Sequence, residues 1–239
     1  MCIRDRVKAL QIISIRLVGA LAKYAVPDCV SKPCKMGQVD VKAIKFCADG
    51  STQVFTAAVN QPYSNPPKDM GCGKLNYPDA ESFEVLVASI NRWLKAGFQI
   101  CIHATGDRAI DQTLKAYEEV FAANPSRDNS IVQRIEHFTV TESGQLTRSK
   151  ELGLGVSHTI GHVNYWGETF CEYVLGVGRA SRVDPVRSDC EAGLIFSFNS
   201  DSPVTKVDPL LYLKTATTRM TYPNETVLGT HEQVDLLTA

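Results

Sequence analysis

Side chains that can bind a metal ion or transfer a proton follow four apolar, strand-like runs of this sequence. They are Lys45, His103, His137 and Asp201, and each stands where a strand would pass into a loop. Imidazole and carboxylate groups at one point suit zinc or a similar divalent ion, which lowers the pKa of a bound water to about 7. Any one of these residues alone has an ordinary structural explanation, such as a turn or a hydrogen-bonded histidine. The ordered set of four favours one shared metal site.

Six short apolar runs rich in β-branched residues predict the strands that position these side chains. They lie at 10–17, 41–46, 98–104, 132–138, 155–160 and 194–201. Hydrophobic residues at helical spacing between them predict helices over 80–96, 108–122 and 142–152. Strands that alternate with amphipathic helices indicate a parallel sheet, either doubly wound or closed as a (β/α)8 barrel. No glycine-rich nucleotide motif follows a strand, and polar residues gather at successive strand ends, so the barrel is favoured.

Four short sequence motifs, taken in order along the chain, carry a resemblance to a known family. Lys45 precedes Asp-Gly-Ser at 49–51, and His-Ala-Thr-Gly-Asp-Arg-Ala occupies 103–109. Arg-Ile-Glu-His follows at 134–137 and Ser-Asp-Ser-Pro-Val at 200–204. With these motifs the chain resembles the amidohydrolase superfamily, and within it amidohydrolase family 3, the branch that includes N-substituted formamide deformylase. The likeness runs from about residue 40 to Gly229.

The resemblance implies an α/β fold of the (β/α)8 TIM type that is incomplete, with about strands three to eight present. Residues 1–239 are then one partial metal-dependent hydrolase barrel domain, without the N-terminal strands and the family's small β-domain. Strand one of the family carries a His-x-His pair for a second metal ion. All five histidines here lie at position 103 or later, and none forms that pair. The chain is therefore either a fragment of a longer enzyme, which we favour, or a degenerate barrel with another use.

Roles for the four strand-end residues also follow from the resemblance. Lys45 is expected as a carboxylated bridging ligand, with His103 and His137 as the other ligands of one metal ion. Asp201 is expected to bind metal and to act as the catalytic proton carrier. The cofactor is a divalent metal, with zinc expected, as one ion or two.

The segment at 157–167 resembles a loop found in a subset of that family. His162 and Trp166 are expected there as substrate-binding residues. His158 and His162 are four residues apart, but no helix is predicted for them, so a separate zinc pair is disfavoured. Strand alternation predicts that Glu136, which precedes His137, points away from the barrel interior.

The expected activity is metal-dependent hydrolysis of a carbon–nitrogen bond other than a peptide bond, in a small amide, formamide or cyclic amide. An esterase-type hydrolase on the same barrel and a non-catalytic binding module are the alternatives. The net charge of −1 gives no sign of nucleic-acid binding, and no apolar run is long enough to span a membrane. Eight cysteines without a C-x-x-C pair indicate reduced thiols and a cytoplasmic location.

Overall fold

The sheet is the framework on which the strand-end residues are placed. The structure, a computed structural model, describes residues 12–16, 31–36 and 39–239. The strands are β1 (Ile12–Arg16), β2 (Cys34–Met36), β3 (Val39–Cys47), β4 (Gln99–Ala104), β5 (Arg134–His137), β6 (Gly155–His158) and β7 (Ile195–Phe198). Their order is β1-β3-β4-β5-β6-β7, with every neighbouring pair parallel, and β2 pairs antiparallel with β3.

This topology confirms the predicted parallel α/β sheet. The spatial order of the parallel strands never reverses along the chain, as is typical of a barrel, whereas a doubly wound sheet reverses at its switch point. Within the described ranges, β1 and β7 do not pair with each other, so these strands form an open array rather than a closed barrel. The ends of the first predicted strand, at residues 10–11 and 17, lie outside the described residues.

Helices follow most of the strands. They are α1 (Ala80–Lys95), α2 (Asp107–Ala123), α3 (Ser143–Glu151), α4 (Gly161–Thr169), α5 (Val177–Ala180), α6 (Val186–Ala192) and α7 (Pro209–Thr218). The first three confirm the predicted helices to within one residue at each end. The helical stretch after β6, which continues from α4 through a π-helical turn at Phe170–Val174, was not predicted. No described helix is long and apolar enough to cross a membrane.

Alternate residues of the strands pack against the helices. The buried side chains of this layer include Ile44, Phe46, Ile100, Ile102, Ile135 and Val156 from the strands, and Leu86, Ile90, Ile110 and Leu114 from α1 and α2. Full burial of each such side chain stabilises the fold by about 1.5–3 kcal/mol. The intervening strand residues, among them Lys45 and Cys101, are therefore directed to the opposite face of the sheet.

The prediction for Glu136 was wrong. Its carboxylate accepts hydrogen bonds of 2.9 and 2.6 Å from the guanidinium of Arg134, and it interacts with the thiol of Cys101 on the interior face. The prediction assumed that regular alternation extends through His137. His137 instead has a left-handed backbone, with φ of 76°, so both it and Glu136 face the interior.

Candidate active site

A narrow cleft lies at the carboxyl ends of β3 to β7. Its lining residues are Ser51, Thr52, Gln53, His103, Thr105, His137, Thr139, Thr159, His162 and Asp201. The structure thus brings together three of the four predicted metal-site residues and one of the two predicted substrate-binding residues. Lys45 and Trp166 are outside this set.

His103 and His137 form the closest pair of candidate ligands. Their ring centroids are 4.5 Å apart, with the ring planes at 68°. His103 Nε2 lies 2.8 Å from the carbonyl oxygen of Gly50, which can only accept a hydrogen bond. In a neutral His103 ring, Nε2 would therefore carry the proton and Nδ1 would hold the lone pair. A carbonyl partner of this kind fixes the tautomer and ring orientation of a metal-binding histidine.

The donor set of the cleft fits a divalent metal ion in part. Two neighbouring imidazoles supply nitrogen ligands that suit zinc, and Asp201 offers a carboxylate at the same cleft. Among the described residues, no group of three or more His, Cys, Asp or Glu side chains is arranged to hold an ion. The histidine pair therefore provides two ligands, and a complete coordination shell needs further groups.

Lys45 lies deeper in the sheet interior than the histidine pair. Its Cα is paired with that of Cys101, whereas Cys47 is paired with His103. Two residues along a strand correspond to about 6.6 Å, a distance that an extended lysine side chain can span. Burial raises the pKa of the Cys101 thiol to about 12, and the positive charges of Arg134 and Lys45 oppose this rise.

Asp201 is held at the cleft by the turn that follows β7. Its backbone has a φ of 50°, and its N–H donates to the side-chain oxygen of Asn199 at 3.0 Å. The Asn199 amide in turn donates to the carbonyl of Ser157 at 2.9 Å. The end of β7 is thereby tied to β6, and the Asp201 carboxylate stays partly buried beside His162.

His162 and Trp166 occupy successive turns of α4, but only the histidine lines the cleft. Burial lowers the pKa of His162, although Asp184 and Asp201 oppose this effect, so its ring is neutral near pH 7. Trp166 packs beside the apolar cluster around α4. Its indole nitrogen is buried, and the described residues offer it no hydrogen-bond partner.

Asp49 is a structural member of the site that sequence reasoning missed. Its buried carboxylate accepts hydrogen bonds from the backbone N–H groups of Ala58, Thr105 and Gly106, at 2.9, 3.0 and 2.9 Å. It also lies 3.4 Å from His103 Nε2. Burial raises the pKa of Asp49 to about 7, and the three N–H groups oppose the rise. The loop after β3 is thus joined to the loop after β4.

A second buried network lies behind the cleft wall. The ring of His158, at the end of β6, contacts Asp184 through Nδ1 at 3.3 Å and makes a short hydrogen bond to Asp189 through Nε2. The guanidinium of Arg219, also fully buried, donates to the carbonyls of Asp184 and Val183 at 3.0 and 2.8 Å. Both ring nitrogens of His158 are therefore engaged by carboxylates, and among the described residues His158 and His162 belong to no group arranged to hold a metal ion.

The loop segment at 60–73 is held by residues at the start of α2. Asp107 is the first residue of this helix, and its carboxylate accepts a hydrogen bond from the backbone N–H of Asn60 at 2.8 Å. Arg108 donates to the carbonyls of Cys72 and Gly73, both at 3.2 Å. These contacts fix both ends of the loop segment at 60–73.

Substitution of Asp49 by Asn should loosen the loop after β3. An amide has one acceptor oxygen where the carboxylate has two, so at least one of the three backbone N–H groups loses its partner. We expect a loss of about 1–3 kcal/mol in the free energy of unfolding, measured in urea. Asp69→Asn, at an exposed position, is the control and should change stability by less than about 0.5 kcal/mol. Equal stability of the two variants would contradict the role of Asp49.

The charge on His158 predicts a pH dependence of stability. Burial alone would lower its pKa, but Asp189 and Asp184 outweigh this effect and raise the pKa to about 10. The stabilisation is therefore complete below the ordinary histidine pKa of about 6.5 and is lost as the pH rises towards 10. Nitrogen NMR at pH 8 should show a doubly protonated His158 ring, whose signal disappears in His158→Gln and persists in His231→Gln. A neutral His158 ring at pH 8 is the contrary result.

Comparison with known proteins places this geometry in a family. The sequence model of the amidohydrolase family matches residues 16–239. N-substituted formamide deformylase of Arthrobacter pascens is 31% identical over 179 residues, which cover 72% of this chain and 31% of that protein. Protein LONG AFTER FAR-RED 3 of Arabidopsis thaliana is 30% identical over 178 residues, covering 74% of this chain and 29% of the relative.

A solved structure supports the fold independently. The crystal structure of an uncharacterized metal-dependent hydrolase from Pyrococcus horikoshii superposes with a TM-score of 0.72 at 23% identity, over 94% of this chain and 43% of that one. The chain spans about a third of the length of the curated relatives it matches. The family match covers nearly all of the described residues and every candidate ligand. By this match, the chain belongs to the amidohydrolase family.

Proposed function

We propose that this chain carries most of the active site of a metal-dependent hydrolase that acts on carbon–nitrogen bonds other than peptide bonds. The observation that carries the proposal is the pair of imidazoles, His103 and His137, at one cleft with Asp201. Membership of the amidohydrolase family supports hydrolysis. The similarity to a formamide deformylase favours a small amide, formamide or cyclic amide as substrate.

Four residues would hold the metal ion. His103 would bind through Nδ1, because its Nε2 donates to Gly50, and His137 would supply the second imidazole. Lys45 would be the third ligand, carboxylated and with its side chain extended along β3 towards the histidine pair. Asp201 would complete the ligand set. The ion, zinc by our proposal and present as one or two ions, would polarise the substrate carbonyl and acidify a water molecule.

The chain's own groups then perform the proton transfers. The Asp201 carboxylate accepts the proton of the attacking water and delivers it to the leaving nitrogen, as a general base and then a general acid. Its place in the turn after β7, fixed through Asn199, keeps the carboxylate at the cleft during both transfers. His162 would contact the substrate from the cleft wall. Trp166 lies on the next turn of α4, outside the cleft lining, and its substrate contact stays a prediction from the resemblance.

Hydrolysis by the zinc-loaded chain tests this proposal. N-propylformamide, N-propylacetamide, 2-pyrrolidinone and propyl formate form a panel that separates formamide, amide, cyclic amide and ester hydrolysis. We expect turnover of at least one carbon–nitrogen substrate, and a loss of at least about 100-fold in kcat/KM for Asp201→Asn. Asp69→Asn is the matched control and should retain the wild-type rate.

Three results would refute parts of the proposal. Full activity of Asp201→Asn would remove the proton-transfer role. Turnover of the ester alone would indicate an esterase on the same barrel. Stoichiometric zinc binding without turnover of any substrate would indicate a metal-binding module that has no hydrolase activity.

A further inference from the structure

His158 is a fully buried residue that the proposed hydrolysis does not use. It ends β6, the strand that lies between β5, which ends at His137, and β7, which precedes Asp201. Neither His158 nor its partner Asp184 is among the residues that line the cleft. Any effect of these two residues on the site therefore passes through other residues.

Regular strand pairing ends just where the site begins. The last pairs of the ladder are His137 with His158, and His158 with Phe198. At its edge the backbone becomes left-handed, with φ of 76° at His137 and 50° at Asp201. The strand register alone therefore leaves the distance between the two side chains undetermined, and contacts outside the ladder must set it.

One chain of contacts runs from His158 to Asp201. The carbonyl of His158 accepts a hydrogen bond from the backbone N–H of Asn199 at 2.8 Å. The side-chain oxygen of Asn199 accepts one from the N–H of Asp201 at 3.0 Å. The Asn199 amide also donates to the carbonyl and the hydroxyl of Ser157, both at 2.9 Å. The turn that carries Asp201 is thus attached to the end of β6.

A second chain of contacts runs from the His158 ring towards His137. Nδ1 of His158 lies 3.3 Å from the carboxylate of Asp184. The backbone N–H of Asp184 donates to the carbonyl of Thr139 at 3.0 Å. Thr139 lines the cleft and follows His137 by two residues. The segment after β5 is thus joined to the same histidine as the turn after β7.

Two further side chains hold this cluster in place. Asp189 makes a short hydrogen bond to Nε2 of His158, which directs Nδ1 towards Asp184. The guanidinium of Arg219 donates to the carbonyls of Asp184 and Leu228, at 3.0 and 2.8 Å. All four ionisable side chains are fully buried, so water does not compete for these contacts.

We propose that His158 and Asp184 are positioning residues that set the distance between His137 and Asp201. They touch no reacting group and act through Thr139 on one side and through the turn after β7 on the other. The inference deepens the proposed function and rests on it in one respect, since it takes His137 and Asp201 as members of one site. Displacement of an active-site group by about 1 Å can lower a rate about 100-fold.

Two variants of His158 separate its contact with Asp184 from its contact with Asp189. Asparagine places an amide nitrogen near the position of Nδ1 and can still donate to Asp184. Glutamine places one near the position of Nε2 and can donate only to Asp189. Amide hydrogen exchange of the metal-free chain is followed by NMR. We expect the N–H groups of Asp184 and Asp201 to exchange at least about tenfold faster in His158→Gln, and within about threefold of the wild-type rate in His158→Asn.

Zinc affinity supplies a second readout, because a changed distance between two ligands weakens the site that they share. In competition with a chromophoric chelator, we expect the Kd for zinc to rise about 10–100-fold in His158→Gln. His158→Asn should stay within about threefold of the wild-type Kd, as the variant that keeps the contact with Asp184.

Tyr117→Phe is the control for a loss of stability alone. It removes a buried hydroxyl that contacts the carbonyls of Ile100 and Arg134, at 3.1 and 2.9 Å, away from the His158 cluster. This variant should leave the zinc affinity and the exchange of the Asp184 and Asp201 N–H groups unchanged.

The outcomes distinguish the positioning role from the hydrolase proposal. Equal exchange rates in His158→Asn and His158→Gln, whether slow or fast, would overturn the positioning role, whatever the chain hydrolyses. Equal zinc affinity of the two variants, in a chain that binds zinc, would overturn it as well. Fast exchange in His158→Gln alone, with no turnover by the zinc-treated wild type, would support the positioning role and refute the proposed hydrolysis.

Discussion

In-register pairing of parallel strands is the constraint on which this site depends. Cys47 is paired with His103, and Ala104 with His137, so the carboxyl ends of β3, β4 and β5 meet at one edge. Side chains more than thirty residues apart in sequence thereby reach one cleft. The apolar layer against α1 and α2 holds this register, because a shift by one residue would exchange buried isoleucines with the polar interior residues.

Buried carboxylates hold the loops at that edge in place. Asp49 accepts hydrogen bonds from backbone N–H groups of two loops. Asp184 and Asp189 contact the two ring nitrogens of His158. Both arrangements give these side chains hydrogen-bond partners from distant segments, although one oxygen of each of Asp184 and Asp189 has no partner among the described residues.

The parts that sequence predicts are those governed by local spacing. Apolar residues at helical spacing define α1 and α2, and the runs that contain Ile44 and Ile102 define β3 and β4. The left-handed turn at His137 has no such signature, so the direction of Glu136 was predicted wrongly. The pairings of Asp49 with Thr105 and Gly106, and of His158 with Asp184 and Asp189, join residues 26 to 57 apart in sequence, and only the folded chain reveals them. The ligand roles of all four residues, Lys45, His103, His137 and Asp201, remain predictions.

X-ray absorption at the zinc edge tests the central claim most directly, because it counts the imidazoles around the metal. With one equivalent of zinc, we expect two imidazole nitrogens at about 2.0–2.1 Å, and one fewer in either His103→Asn or His137→Asn. His231→Asn, which removes an exposed ring, should leave the spectrum unchanged. A spectrum of oxygen ligands alone, or one insensitive to both cleft histidines, would contradict the account.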